Sequence, residues 1–269
     1  MQTSFNQLNP NDRATLAIGG PSLTRQVIIA CIAIELILVA LDLGFNYTRL
    51  IDSSSLRKIL NLAHEKSLAT WFSVLQMALV GFVLLALFIV QRHQQDFRSA
   101  RGWAILSGFY LYLSADDAAK IHERVGSSVA RALEEPAAAS ALGDWLDYFP
   151  SYSWQWVFAP IFGAMGLYIV IFLWKKLPTR KLKVTLFAAF SCWALAIGID
   201  FLEGQERLFD YLATAWEVKP YTVSHPFLVA EEFLEMFGAT LFLFVFLQRL
   251  TWSLSQYQTI TFHQNTPSP

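Results

Sequence analysis

Six long apolar stretches punctuate this chain, and they restrict it to a helical membrane bundle. They run from Val27 to Phe45, Leu68 to Val90, Trp103 to Ile121, Trp154 to Trp174, Leu182 to Phe201 and Phe227 to Leu247. A helix needs about 20 mostly apolar residues to cross a bilayer, whereas a barrel strand needs only about ten alternating ones. Each stretch has the helical length, which predicts an all-α polytopic membrane protein with six transmembrane helices. Composition agrees, since 55% of the 269 residues are hydrophobic, only 15% are charged and the mean hydropathy is +0.40. A soluble domain of ordinary composition is less apolar than this.

The expected division is a polar N-terminal segment over 1–23, a transmembrane domain over 24–250 and a polar tail over 251–269. The opening residues lack the charged-then-apolar pattern of a cleaved leader, so the first stretch reads as a retained signal anchor. A net charge of −1 offers no basic surface for nucleic acid. Cys31 and Cys192 both fall inside apolar stretches and read as packing residues rather than as a disulfide or metal pair.

Lys and Arg in short connectors set orientation. Arg92, Arg98 and Arg101 lie between the second and third stretches, and Lys175, Lys176, Arg180, Lys181 and Lys183 between the fourth and fifth. These connectors are expected on the cytoplasmic side, with both termini there too, as in a bacterial inner membrane. The opposite connectors are longer and mostly acidic. From Asp116 to Ser153 three basic residues face seven acids, and from Asp200 to Glu235 two face eight. Ser53 followed by Leu56, Ile59, Leu60 and Ala63 predicts a short helix in the first outer connector, with Ser53 as its N-cap. Ala-rich Ser127 to Leu142 suggests another, and Trp145, Trp154, Trp156 and Trp216 suit the outer headgroup layer.

Placed in alternating directions, the stretches put most of their acids and histidines on that outer side. Charge within a membrane span is costly and marks a functional site by default. Glu35 and Asp42 share a stripe of the first helix, with Glu35 about 10 Å deeper at about 1.5 Å rise per residue. Neither Glu35 nor Glu235 has a basic residue within a turn on its own helix. His64 and Glu65 open the second helix. Asp116, Asp117, Lys120, His122 and Glu123 close the third; Asp116 and Glu123 share a stripe, and His122 falls about 100–120° round from it. Asp200 and Glu203 end the fifth helix, and Glu231, Glu232 and Glu235 follow His225-Pro226 in the sixth.

Carboxylates with imidazoles are a ligand set for zinc, iron or manganese, and facing helices that project carboxylate pairs inward build di-metal bundles. The expected reading is therefore a metal-dependent membrane enzyme, with hydrolysis favoured and a di-metal oxidase as the alternative chemistry. Its metal ligands would come from His64, His122, Glu123, Asp200, Glu203, Glu232 and Glu235. Glu35, Asp42 and Asp116 would serve the chemistry, with a membrane lipid or small amphiphile as substrate. The alternatives are a proton- or cation-coupled transporter and a non-catalytic cation-binding subunit. Plainer roles stand beside each residue. Asp116, Lys120 and Glu123 can form an intrahelical ion-pair ladder, Arg207 can neutralise Asp200 and Glu203, and His225 can serve as a helix-entry residue. His93 and His263 read as surface residues, as do the loop acids Glu134, Glu135, Asp144 and Asp147.

Overall fold

A computed structural model describes residues 10–48, 53–94, 97–122, 124–129, 153–203 and 206–264. Among the described residues every regular element is helical. Helix α1 (Pro10–Asp42) runs into a five-residue π-helical turn, Leu43–Tyr47. Then follow α2 (Ser54–Leu60), α3 (Leu68–Gln94), α4 (Phe97–Ala119), α5 (Ser153–Lys176), α6 (Arg180–Glu203), α7 (Glu206–Ala215) and α8 (Pro220–Gln264). A helix thus forms at each of the six apolar stretches. Three of the segments, Ser22–Tyr47, Leu68–Gln94 and Arg180–Leu202, are long and apolar enough to cross a membrane.

Helix α3 packs along α4 and α8 packs along α6, and α8 also reaches α3, α1 and α7. The core lies where they meet. Val80, Leu84 and Leu87 of α3 interlock there with Trp103, Leu106 and Tyr110 of α4, Ile169 and Leu173 of α5, and Phe242, Leu243 and Phe246 of α8. Trp103 crosses Phe172 edge-on with ring centres 5.0 Å apart, and Phe242 meets Trp193 at 4.7 Å. Gly102 permits the first of these contacts, because a Cβ there would fall 2.2 Å from the Phe172 ring.

Burial is inverted along α1. Glu35 and Asp42 are fully buried, while Ile29, Leu36 and Ile37 on the same helix are more than half exposed. Phe82 of α3 and Phe187 and Leu195 of α6 are likewise exposed. Apolar surface of this extent outside and carboxylates inside suit a lipid surround rather than water.

Several sequence expectations meet the structure here. Helix α2 begins where predicted, and Ser53 is its N-cap residue but makes no side-chain capping bond. The first helix starts at Pro10, well before the apolar stretch. The last runs through His225 and Pro226 and on to Gln264, so the polar tail is helical as far as Gln264. Both cysteines are free, and Cys31 sits in the core. The proposed surface helix from Ser127 lies mostly outside the described residues, as do Trp145, Glu134, Glu135, Asp144 and Asp147.

Candidate functional site

The acids divide between two flanks of α8. Thr240 and His225 face α1, bonding Glu35 and Asp42 respectively. Glu235 lies five residues before Thr240, about 140° round at 3.6 residues per turn. It lies within electrostatic range of Asp117, Lys120 and His122 near the end of α4 and of Asp200 on α6. The single layer read from sequence is therefore two groups.

The α4 group is shaped by a break in the helix. Lys120 adopts a left-handed backbone with φ of 50°, and its N–H bonds Asp116 O at 2.6 Å. A non-glycine residue there costs on the order of 1 kcal/mol, which the surrounding contacts must offset. The reversal turns the chain back over the helix end. Asp116 Oδ1 then accepts the His122 backbone N–H at 2.8 Å, and its Oδ2 pairs with His122 Nδ1. This corrects the helical projection that placed His122 round from Asp116, because the helix does not continue that far. Of the expected Asp116–Lys120–Glu123 ladder, Glu123 lies outside the described residues, and Lys120 reaches across to Glu65 at 3.1 Å. That cation holds the Glu65 carboxyl below the usual carboxylate range, chiefly through the hydrogen bond it donates.

Asp116 is buried, whereas His122 keeps part of its ring exposed. The imidazole meets the ring edges of Phe158 and Phe162 of α5, each at 6.3 Å. Beside it, Asp117 bonds Ser73 of α3, and its Oδ2 is buried without a hydrogen-bond partner. Glu235 is partly buried, and its backbone carbonyl accepts the Trp193 indole N–H at 3.1 Å. Glu232 and Asp200 are half-buried. His64 sits in the connector before α3, where its Nδ1 accepts the Lys66 N–H at 3.1 Å. Glu123 and the side chain of Glu203 lie outside the described residues. Among the described residues no group of three or more His, Cys, Asp or Glu side chains converges as a metal site.

The α1 group has two levels. At the outer one Asp42 accepts His225 Nε2 at 2.6 Å and, at 3.1 Å each, the Asn46 amide and the Leu62 backbone N–H. His225 is fully buried and stacks on Tyr221 with ring centres 4.7 Å apart. Asp42 thereby ties the end of α1 to the α2–α3 connector and to α8. Deeper, Glu35 Oε1 accepts Thr240 Oγ1 at 2.6 Å and Gln76 Nε2 at 3.0 Å, and Gln76 also donates to Thr240. His225 and Thr240 were not among the expected site residues. Neither was Gln76, which bonds Glu35. Polar residues inside an otherwise apolar run were the available signal.

Fold and site together define an all-α bundle of membrane type, carrying buried carboxylates and two aspartate–histidine pairs toward one end. The chain belongs to the family described as Domain of unknown function (DUF8692), whose model matches residues 30–250. No curated protein and no solved structure matches it.

Proposed function

We propose that the protein is an integral membrane enzyme with six spans and cytoplasmic termini, hydrolysing a lipid or amphiphile at the outer headgroup level. The observation that carries this reading is the Asp116–His122 pair. A buried carboxylate that grips an imidazole by Nδ1 fixes its tautomer and orientation, which suits general acid–base catalysis through Nε2. In the proposed step His122 takes a proton from water as the water attacks a carbonyl, then returns it to the leaving group.

Elemental analysis of purified protein for zinc, iron or manganese tests the metal expectation directly.

The test is hydrolysis of a panel of lipid esters and amides by the full chain in liposomes. His122→Ala and Asp116→Asn are expected to lower turnover by about 10²–10⁴-fold with folding intact. Turnover unchanged in both variants, or no hydrolysis by the wild type across the panel, would sink the proposal. A second reading, a proton- or cation-coupled transporter, draws support from one separate observation, the buried Glu35. Ion flux in the same liposomes without hydrolysis would favour it.

A further inference from the structure

Glu35, Gln76 and Thr240 come from α1, α3 and α8 and are 0%, 3% and 0% exposed. Their hydrogen bonds do not close. Glu35 Oε1 receives two donors, yet Glu35 Oε2 and Gln76 Oε1 are both buried with no partner. Both orphans are acceptors, so neither can bond the other unless one of them carries a proton. A buried acceptor left without a donor costs about 1–3 kcal/mol, more if charged.

The neighbours of Glu35 are polar but uncharged. They are Gln76 on α3, Thr240 on α8 and the Cys31 thiol one turn away on α1, which interacts with all three. Among the described residues no Lys, Arg or His pairs with Glu35. Toward the outer side the next carboxylate on its stripe is Asp42, about 10 Å away and already engaged by His225. Toward the cytoplasm Val80, Leu84 and Leu87 of α3 and Leu243 and Phe246 of α8 form apolar core. An ionised carboxylate there would be desolvated without a counter-cation.

One proton resolves both orphans. A carboxylic acid and a primary amide pair as a ring with two hydrogen bonds, amide N–H to one acid oxygen and acid O–H to the amide oxygen. The first arm is present, Gln76 Nε2 to Glu35 Oε1 at 3.0 Å. The two orphaned oxygens are the atoms of the second.

We propose that Glu35 and Gln76 form a proton-binding site inside the membrane, in which Glu35 Oε2 holds a proton taken from water and donates it to Gln76 Oε1, with Thr240 fixing the other acid oxygen. Binding is simple protonation. One O–H bond forms on Oε2, no other covalent bond changes, and the site goes from anionic to neutral. The site stands independently of hydrolysis at His122.

Infrared spectroscopy of the full chain in liposomes, in water and in deuterium oxide, reads this directly. A carboxylic acid C=O band that shifts on deuteration is expected at neutral pH, amounting to one group per chain and lost in Glu35→Gln. Because Gln is a neutral amide of the same shape, Glu35→Gln should fold and match wild-type thermal stability. Gln76→Leu should retain the acid band but move its frequency, since the O–H loses its acceptor. Absence of a wild-type band attributable to Glu35, or its disappearance on adding sodium or potassium at constant pH, would overturn the proposal. The first outcome would mean an ionised carboxylate and the second a metal-cation site.

Discussion

Substituting Asp42 by alanine probes the joint that holds α1, the α2–α3 connector and α8 together. The carboxylate accepts from His225 Nε2, Asn46 Nδ2 and the Leu62 backbone N–H. All three donors belong to buried residues. Alanine strands each of them. At about 1–3 kcal/mol per unsatisfied buried group the simple sum is roughly 3–9 kcal/mol. Relaxation and entry of water should bring this toward the low end, about 3–5 kcal/mol, as when one member of a buried pair is removed. His225→Phe alone should cost less, since it strands only one of the carboxylate's three acceptor contacts. In the Asp42→Ala background the same change should cost little, because the imidazole has already lost that partner. The resulting coupling energy is expected at roughly 1.5–3 kcal/mol. Equilibrium unfolding of the four proteins in mixed micelles, followed by far-UV circular dichroism, gives the cycle. If Asp42→Ala stays within about 0.5 kcal/mol of wild type, or the two substitutions are additive to within about 0.5 kcal/mol as independent sites are, the buried pair is not the joint described.

Other regions yield sharper, smaller tests. Gly102→Ala would drive a Cβ to within 2.2 Å of the Phe172 ring, whereas Gly108→Ala on the same helix meets open space. The first should destabilise by about 1–3 kcal/mol and the second should be neutral or slightly stabilising, which thermal unfolding of the two variants side by side will show. At the Glu65–Lys120 ion pair the Glu65 carboxyl titrates below its ordinary value. Any stability it contributes is present above the unfolded-state value and is lost as pH falls through the lower folded value. Carbon-13 NMR of the side chain should show Lys120→Met moving that titration upward toward the ordinary range, with the wild-type offset shrinking in high salt because Glu65 is exposed. No upward movement would mean that Lys120 is not the cause.

Helix placement was legible in the sequence because it depends on local quantities, the length and hydropathy of single runs. All six apolar stretches became helices for that reason. The helix ends were less legible. Glu35 and Glu235 stood out because each is an acid with no basic neighbour on its own helix. Nothing local could identify their partners. Gln76 and Thr240 carry no charge, and Asp42 and His225 are 183 residues apart. The His122 site was misjudged for a different reason. Projecting a regular helix through Lys120 put the imidazole round the side, and the left-handed turn at Lys120 set it on Asp116.

What the sequence determined by itself was an all-α chain with acids concentrated toward one end of its apolar helices, since spacing along a run and the cost of buried charge are written residue by residue. The tertiary structure alone decided which acid meets which partner. Helix α8 faces α1 with one flank and α4 and α6 with another, and that rotation splits one apparent acidic layer in two. It places Glu35 against neutral Gln76 and Thr240, and Asp42 against His225. It leaves Glu235 within range of Asp117, Asp200 and His122. The rotation and depth of a packed helix are set by the interlocking of Phe242, Leu243 and Phe246 with side chains from several other helices, and no single segment of sequence contains that information.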